Sequence, residues 1–241
     1  MRPLCHPAIQ GLLITQEWIN ASECRDDEQE FSIPSNARCI LVIESEGVYL
    51  RFSRMRFYDR IPCILVTAKG FPDIATRALV HRLANKLNIP VCGLCDCNPF
   101  GLRVLHTYEW GSIRQGVDGG DRYSVPIRWV GLKPSHVHAL QGHLPQNAYQ
   151  RLTDLDKRQL DKLCDERHPI HYDHIDGNVR IDELRFMQST GYKVELEKLY
   201  WLGADYIFDY VQNAIEGILA NQENLVRDEM DIEMDIEIVP V

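Results

Sequence analysis

Among the 241 residues, no apolar run approaches the roughly 20 that a helical bilayer span needs, so neither a membrane-spanning segment nor a membrane partner is expected. Neither a G-x-x-x-x-G-K-[ST] loop nor a G-x-G-x-x-G turn occurs, and nothing in the chain itself points to ATP or dinucleotide binding. There is no internal repeat. With 45% hydrophobic and 25% charged residues, disordered, collagen-like and fibrous classes are excluded. The first residues, MRPLCHPAIQGLLITQEW, lack the long apolar stretch of a signal peptide. A second Cys-x-x-Cys is also missing. Cys92-x-x-Cys95-x-Cys97 therefore has no partner motif to complete four zinc ligands, and it reads as core thiols. The eight cysteines are scattered, four of them in apolar strand-like runs, which suits a reducing, intracellular compartment better than a disulfide framework.

A surplus of positive charge is absent as well. The formal charge is −9, from 26 Lys+Arg and 35 Asp+Glu. From Glu223 onward seven acids face one base, Arg227, so the tail carries −6 of that total and the body is nearly neutral. Such a body does not advertise nucleic-acid binding, yet it leaves room for a local basic face. Residues 1–37 read as an N-terminal linker or the remnant of a further domain, and 217–241 as an acidic tail. The acidic–apolar alternation of that tail suits an edge strand, a disordered interaction tail or a plain terminal extension.

What is present between them is a strand–helix alternation. CILVIE (39–44), CILVT (63–67), VCGLCD (91–96) and IRWVG (127–131) are short and continuously apolar, as parallel strands buried on both faces are. Between the second and third, Ala75, Leu79, Leu83 and Leu87 recur at helical spacing behind a candidate N-cap, Asp73. From about residue 150 the pattern becomes helical, including 183–199 and 192–219. The expected fold is α/β, a parallel sheet of about four strands flanked by helices, with a helical C-terminal extension.

Ligands of a parallel α/β sheet bind beyond the carboxyl ends of its strands. The first strand ends at Glu44 and the third at Asp96-Cys97-Asn98-Pro99-Phe100-Gly101. If these strands are neighbours, Glu44, Asp96 and Asn98 converge on one edge. Residues two apart in Asp-x-Asn face one side of an extended segment. An incomplete set of hard oxygen ligands, completed by water and phosphate, suits Mg²⁺. The Pro-Phe-Gly turn that follows opens a helix whose N-terminus can face a phosphate.

The glutamate strand, DCNPFG, the intervening IPCILVTAKGFPDIATRALVHRL, the His-Thr-Tyr run at 106–108 with Gly111-Ser112, IRWVGLKPS and ELRFMQSTGYKVELEKL resemble, in collinear order over about 38–216, the Toprim domain of the topoisomerase VI A-type protein. The likeness is strongest to its eukaryotic relatives, the meiotic recombination proteins that make double-strand breaks. The resemblance implies DNA cleavage by transesterification, in which a tyrosine attacks a backbone phosphorus while Toprim-bound Mg²⁺ of a partner protomer holds the DNA. It also implies metal ligands at Glu44, Asp96 and Asn98, a homodimer or a heterodimer with another A-type chain, a separate ATP-using B-like subunit, and a location in the nucleus.

Two positions depart from the family's pattern. Ser45 stands where lysine commonly follows the glutamate. Asn98 stands where aspartate is common and brings no charge, so Mg²⁺ should be held more weakly. Only 43 residues precede Glu44, too few for the family's tyrosine-bearing winged-helix domain, and no tyrosine has the Arg-Asp-x-Tyr-Tyr context. Tyr58, in RFYDR, is the nearest imitation but lies after the glutamate. The expectation is the metal-binding, DNA-holding half of a cleaving enzyme, or a non-catalytic DNA-binding or scaffold module. Arg51, Arg54, Arg56 and Arg60 cluster after the glutamate, where they suit either a DNA backbone or a solvated helix face. Arg51, Arg54, Lys69 and Arg77 are the DNA-contact candidates. His136, His138, His143, His168, His171 and His174 read as loop residues rather than a ligand set.

Overall fold

A computed structural model of the chain describes residues 36–111, 123–168, 170 and 176–236. Four strands, β1 (Cys39–Ile43), β2 (Cys63–Val66), β3 (Val91–Leu94) and β4 (Ile127–Gly131), form one parallel sheet in the order β2-β1-β3-β4. Parallel neighbours need crossovers, and helices supply them. Helix α1 (Glu46–Arg54) lies between β1 and β2, α2 (Ile74–Leu87) between β2 and β3, and α3 (Pro99–Trp110) between β3 and β4. The architecture is the expected α/β sheet, and all four apolar runs are its strands.

Burial follows position in the sheet. The central strands β1 and β3 are wholly buried, whereas Cys63, Ile64 and Leu65 of the edge strand β2 are half-buried. On the other edge, side chains take carbonyls of β4: Arg180 donates to the Ile127 carbonyl and the Tyr210 hydroxyl to that of Val130 at 3.3 Å. Such capping blunts an edge that would otherwise pair with another chain. Gly93 lets α3 lie close on β3. A Cβ there would stand 2.7 Å from Leu105 Cδ2 and 2.8 Å from Ile127 Cγ2, so any side chain would push the helix off the sheet.

Capping chemistry sets the helix starts. Asp73 accepts from the Thr76 N–H at 2.7 Å, as the sequence suggests, and α2 stops at left-handed Asn88. Beyond the sheet come α4 (Pro134–Ala139), β5 (Gln150–Arg151), α5 (Asp154–Leu163), α6 (Gly177–Thr190), β6 (Tyr192–Lys193), a 3₁₀ helix over Leu196–Leu202, and α7 (Tyr206–Ile236).

Here the expectation of helix through 183–199 and 192–219 needs correction. Gly191, at φ 73°, ends α6 in the left-handed conformation that glycine adopts without strain. The chain then pairs β6 with β5 and forms an antiparallel bridge between Val194 and Cys97. The α-helix resumes only at Tyr206. It then runs past residue 217 without a break, so residues 217–236 continue a helix rather than adding an edge strand. Phe208 of α7 packs on Phe52 and Phe57, with ring centroids 4.8 and 6.1 Å away, and this fixes the start of the long helix against α1.

Candidate metal and nucleic-acid site

Ile43 pairs with Leu94, so the residues that follow them leave adjacent strands side by side at the carboxyl edge. Glu44 and Asp96 are therefore brought together, as the strand-neighbour argument requires. The Asp96 N–H donates to Glu44 Oε2 at 3.0 Å. Burial raises Glu44 to about 7, and the charge of Asp96 adds to it. Burial likewise raises Asp96 to about 6, against the lowering effect of a hydrogen bond from the Leu196 N–H, 2.8 Å from Oδ1.

Asn98 lies on the same edge but has another occupation. Its Oδ1 accepts from the Gly101 N–H at 2.7 Å, which makes it the N-cap of α3. Pro99 follows as the first helical residue, where its missing N–H costs nothing. Gly101 is forced by the site: a Cβ there would stand 2.8 Å from both Glu44 Oε2 and the Asp96 carbonyl. The first turn of α3 thus presses against the two carboxyl groups.

The segment after Gly191 brings residues that the sequence did not single out. The Cys97–Val194 bridge carries Glu195, Leu196 and Glu197 to this edge. Glu197 Oε1 accepts from the Ser45 hydroxyl at 2.7 Å, and its charge pushes both Glu44 and Asp96 upward. A helical reading of 183–199 hid this, because it gives no reason for Glu197 to reach the sheet.

Oxygen-only donors, with two half-buried carboxyl groups held side by side, fit a hard divalent cation. Among the described residues no three His, Cys, Asp or Glu side chains gather closely enough to hold a metal ion. The fit therefore rests on Glu44 and Asp96, with Asn98 able to contribute only an oxygen already engaged as a cap.

The basic candidates separate. Lys69 sits on the same edge at φ 58°, exposed, with Nζ 2.8 Å from Glu46 Oε1; the next residue, Gly70, donates its N–H to the Glu44 carbonyl at 3.2 Å. Arg54 is exposed at the end of α1. Arg51 is turned inward, its guanidinium 3.9 Å from the Tyr200 ring centroid and donating to the Ala204 carbonyl at 3.3 Å. Arg77 is 0% exposed within α2, so as placed it cannot meet a phosphate. Arg56 pairs with Asp59, and Arg60 with Asp205 and Asp209, so both have structural partners. Half-exposed Phe71, two residues from Lys69 and 5.4 Å from the Arg103 guanidinium, is a further rim residue.

Tyr58 lies in the 3₁₀ turn Phe57–Asp59 that leads into the start of β2, the end of the sheet opposite Glu44. Cys92, Cys95 and Cys97 are core thiols, at most 1% exposed. His168 packs on His106 and Trp110, His136 meets the Tyr210 hydroxyl at 2.8 Å and His138 that of Tyr192 at 3.0 Å, while His171 and His174 lie outside the described residues.

Comparison with known proteins gives a consistent result. The family described as the Toprim domain of Spo11 and the topoisomerase 6 A-type chain matches residues 39–215. Meiotic recombination protein SPO11-2 of Oryza sativa subsp. indica is 37% identical over 182 residues, covering 75% of this chain and 44% of the relative. The A-type chain of DNA topoisomerase 6 from Arabidopsis thaliana is 33% identical over 174 residues, 72% of this chain and 39% of the relative. Meiotic recombination protein SPO11 of Mus musculus is 32% identical over 174 residues, 72% and 42%. The chain thus spans less than half the length of these relatives.

Proposed function

Since the chain belongs to the family of Spo11 and the topoisomerase 6 A-type proteins through its Toprim domain, we propose that it supplies the Mg²⁺-bearing, DNA-holding half of a type IIB DNA cleavage reaction that forms double-strand breaks in meiotic recombination. The observation that carries this reading is the pair Glu44–Asp96, held at one sheet edge by a backbone hydrogen bond and both raised by burial. Mg²⁺ there would neutralise backbone phosphate charge and orient the strand. Glu44 and Asp96 would hold the ion, with Asn98 as a weaker third ligand. Lys69 would meet phosphates beside the ion and Phe71 the bases at the rim, while Arg54, exposed at the far end of α1, would meet a more distant stretch of backbone. The attacking tyrosine would come from a winged-helix domain, on this protein or on a partner protomer. The assembly would be a dimer of A-type chains in the nucleus, joined by a B-like subunit.

Asn98 supports a second reading. With its oxygen capping α3 and no charge of its own, the site is one carboxylate poorer than the family's pattern, which favours a non-catalytic DNA-binding or scaffold module. One measurement separates the two. In the first reading Mg²⁺ tightens duplex DNA binding by the wild type, and Glu44→Ala removes that gain, about tenfold or more. Equal affinities with and without Mg²⁺ overturn the first reading in favour of the second.

A further inference from the structure

Away from the carboxylate pair, a cavity of about 360 Å³ opens beside the edge strand β4, walled by α6 and α7. That is the size of a small-molecule site. Its charged lining is Arg128, Lys133 and Arg180 against Asp176. Arg128 pairs with Asp176 at 2.8 Å, and Arg180 is neutralised beneath the floor by Glu109, at 3.0 Å. Among the described residues Lys133 has no ion-pair partner, which leaves its ammonium the unpaired charge of the described lining. His136 stands near Lys133, whose charge helps hold the imidazole below its usual range, burial being the larger cause; Glu183 opposes the shift.

Helix α7 is built to leave this space open. Ala214, Gly217, Ile218 and Asn221 line it at helical spacing. A Cβ on Gly217 would meet nothing within 4 Å, so no packing demands glycine there. An interior helical glycine nonetheless costs about 1 kcal/mol relative to alanine. The cavity's two ends also differ. Tyr210 lies at the Lys133 end, its hydroxyl 2.8 Å from His136 Nδ1, while the carboxamides Asn221 and Gln222 follow three turns later, about 16 Å along the helix. Trp129, Val130 and Ile218 give apolar wall between them.

We propose that this cavity binds a nucleoside monophosphate unit, its phosphate at Lys133 and His136, its sugar and base along the apolar wall, and its base edge on Asn221 and Gln222. The unit can be a free nucleotide or the terminal nucleotide of a DNA strand. Titration calorimetry on the whole chain with dAMP, with a 5′-phosphorylated oligonucleotide, with inorganic phosphate and with deoxyadenosine tests this. Expected is binding of dAMP or of the oligonucleotide, stronger than phosphate or nucleoside alone. Lys133→Gln should weaken it about tenfold. Gly217→Leu, which fills the cavity while improving helix propensity, should abolish it with an unchanged circular dichroism spectrum. Binding of dAMP alone identifies the free nucleotide, and binding of the 5′-phosphorylated oligonucleotide alone, lost in Gly217→Leu, identifies the strand end. Absence of binding by both, or binding that Gly217→Leu leaves unchanged, overturns the proposal.

Discussion

Glu44 is a carboxyl group disfavoured in its charged form by the surrounding protein, by Asp96 and by Glu197, with the Asp96 N–H alone opposing them. Raised to about 7 in the folded chain, it binds a proton more readily than in the unfolded chain, where it returns to about 4.5. Between those values the folded state holds the extra proton, so the stability that Glu44 contributes falls as pH rises through the window from about 4.5 to 7. Asp96, raised to about 6, acts in the same direction at slightly lower pH. Glu44→Gln should therefore melt close to the wild type at about pH 4.5 and above it at about pH 8, with the gap opening as pH rises. Thermal melts across that range in chelator check the expectation. A second residue-scale prediction concerns Gly101, whose missing Cβ leaves room for the Glu44 carboxyl group. Gly101→Ala should cost about 1–3 kcal/mol in denaturant unfolding by overpacking. It should also reduce the Mg²⁺-dependent part of DNA binding, since Glu44 Oε2 must move.

At the scale of elements, the N-caps of α2 and α3 differ in what they do. Asp73 caps α2 on an exposed rim, and Asp73→Ala should cost about 1 kcal/mol, read as a fall in melting temperature. Asn98 caps α3 and sits at the candidate metal site at once. Asn98→Asp keeps a capping oxygen and adds the charge that the family's pattern carries, so Mg²⁺ should bind more tightly, by calorimetry, with little change in stability. Asp73 was legible as a cap because a proline precedes it and an apolar period follows. The capping role of Asn98 was masked by its place in a metal-like motif, although Pro99 beside it is equally a helix-start signal. Glu197 was not legible at all. Its approach depends on Gly191 ending α6 and on Val194 bridging to Cys97, and leucine periodicity across 183–219 gives no hint of either event.

At the scale of the whole molecule, a fully buried ion pair helps tie the sheet to the C-terminal helices. Arg180 of α6 reaches Glu109 of α3 through two hydrogen bonds, 3.0 and 3.1 Å, and Glu109 also accepts from the Ile127 N–H at 3.2 Å. Arg180 is 0% and Glu109 3% exposed. Removing one partner leaves the other charged and buried, so Arg180→Leu should destabilise by about 3–5 kcal/mol in urea unfolding, more than any surface change. The pairing spans 71 positions in sequence, and nothing in local pattern announces it. The sequence by itself determined the α/β class, the four strands and the presence of Glu44 and Asp96 at strand ends, because period, apolar runs and caps are local properties. Only the tertiary structure decided that Arg77 is inside, that Arg51 turns onto Tyr200, that the charge of Glu197 acts on the carboxyl pair and that a cavity stands beside β4. Those depend on which distant segments meet, and a side chain's burial and charge environment are set by that meeting rather than by its neighbours along the chain.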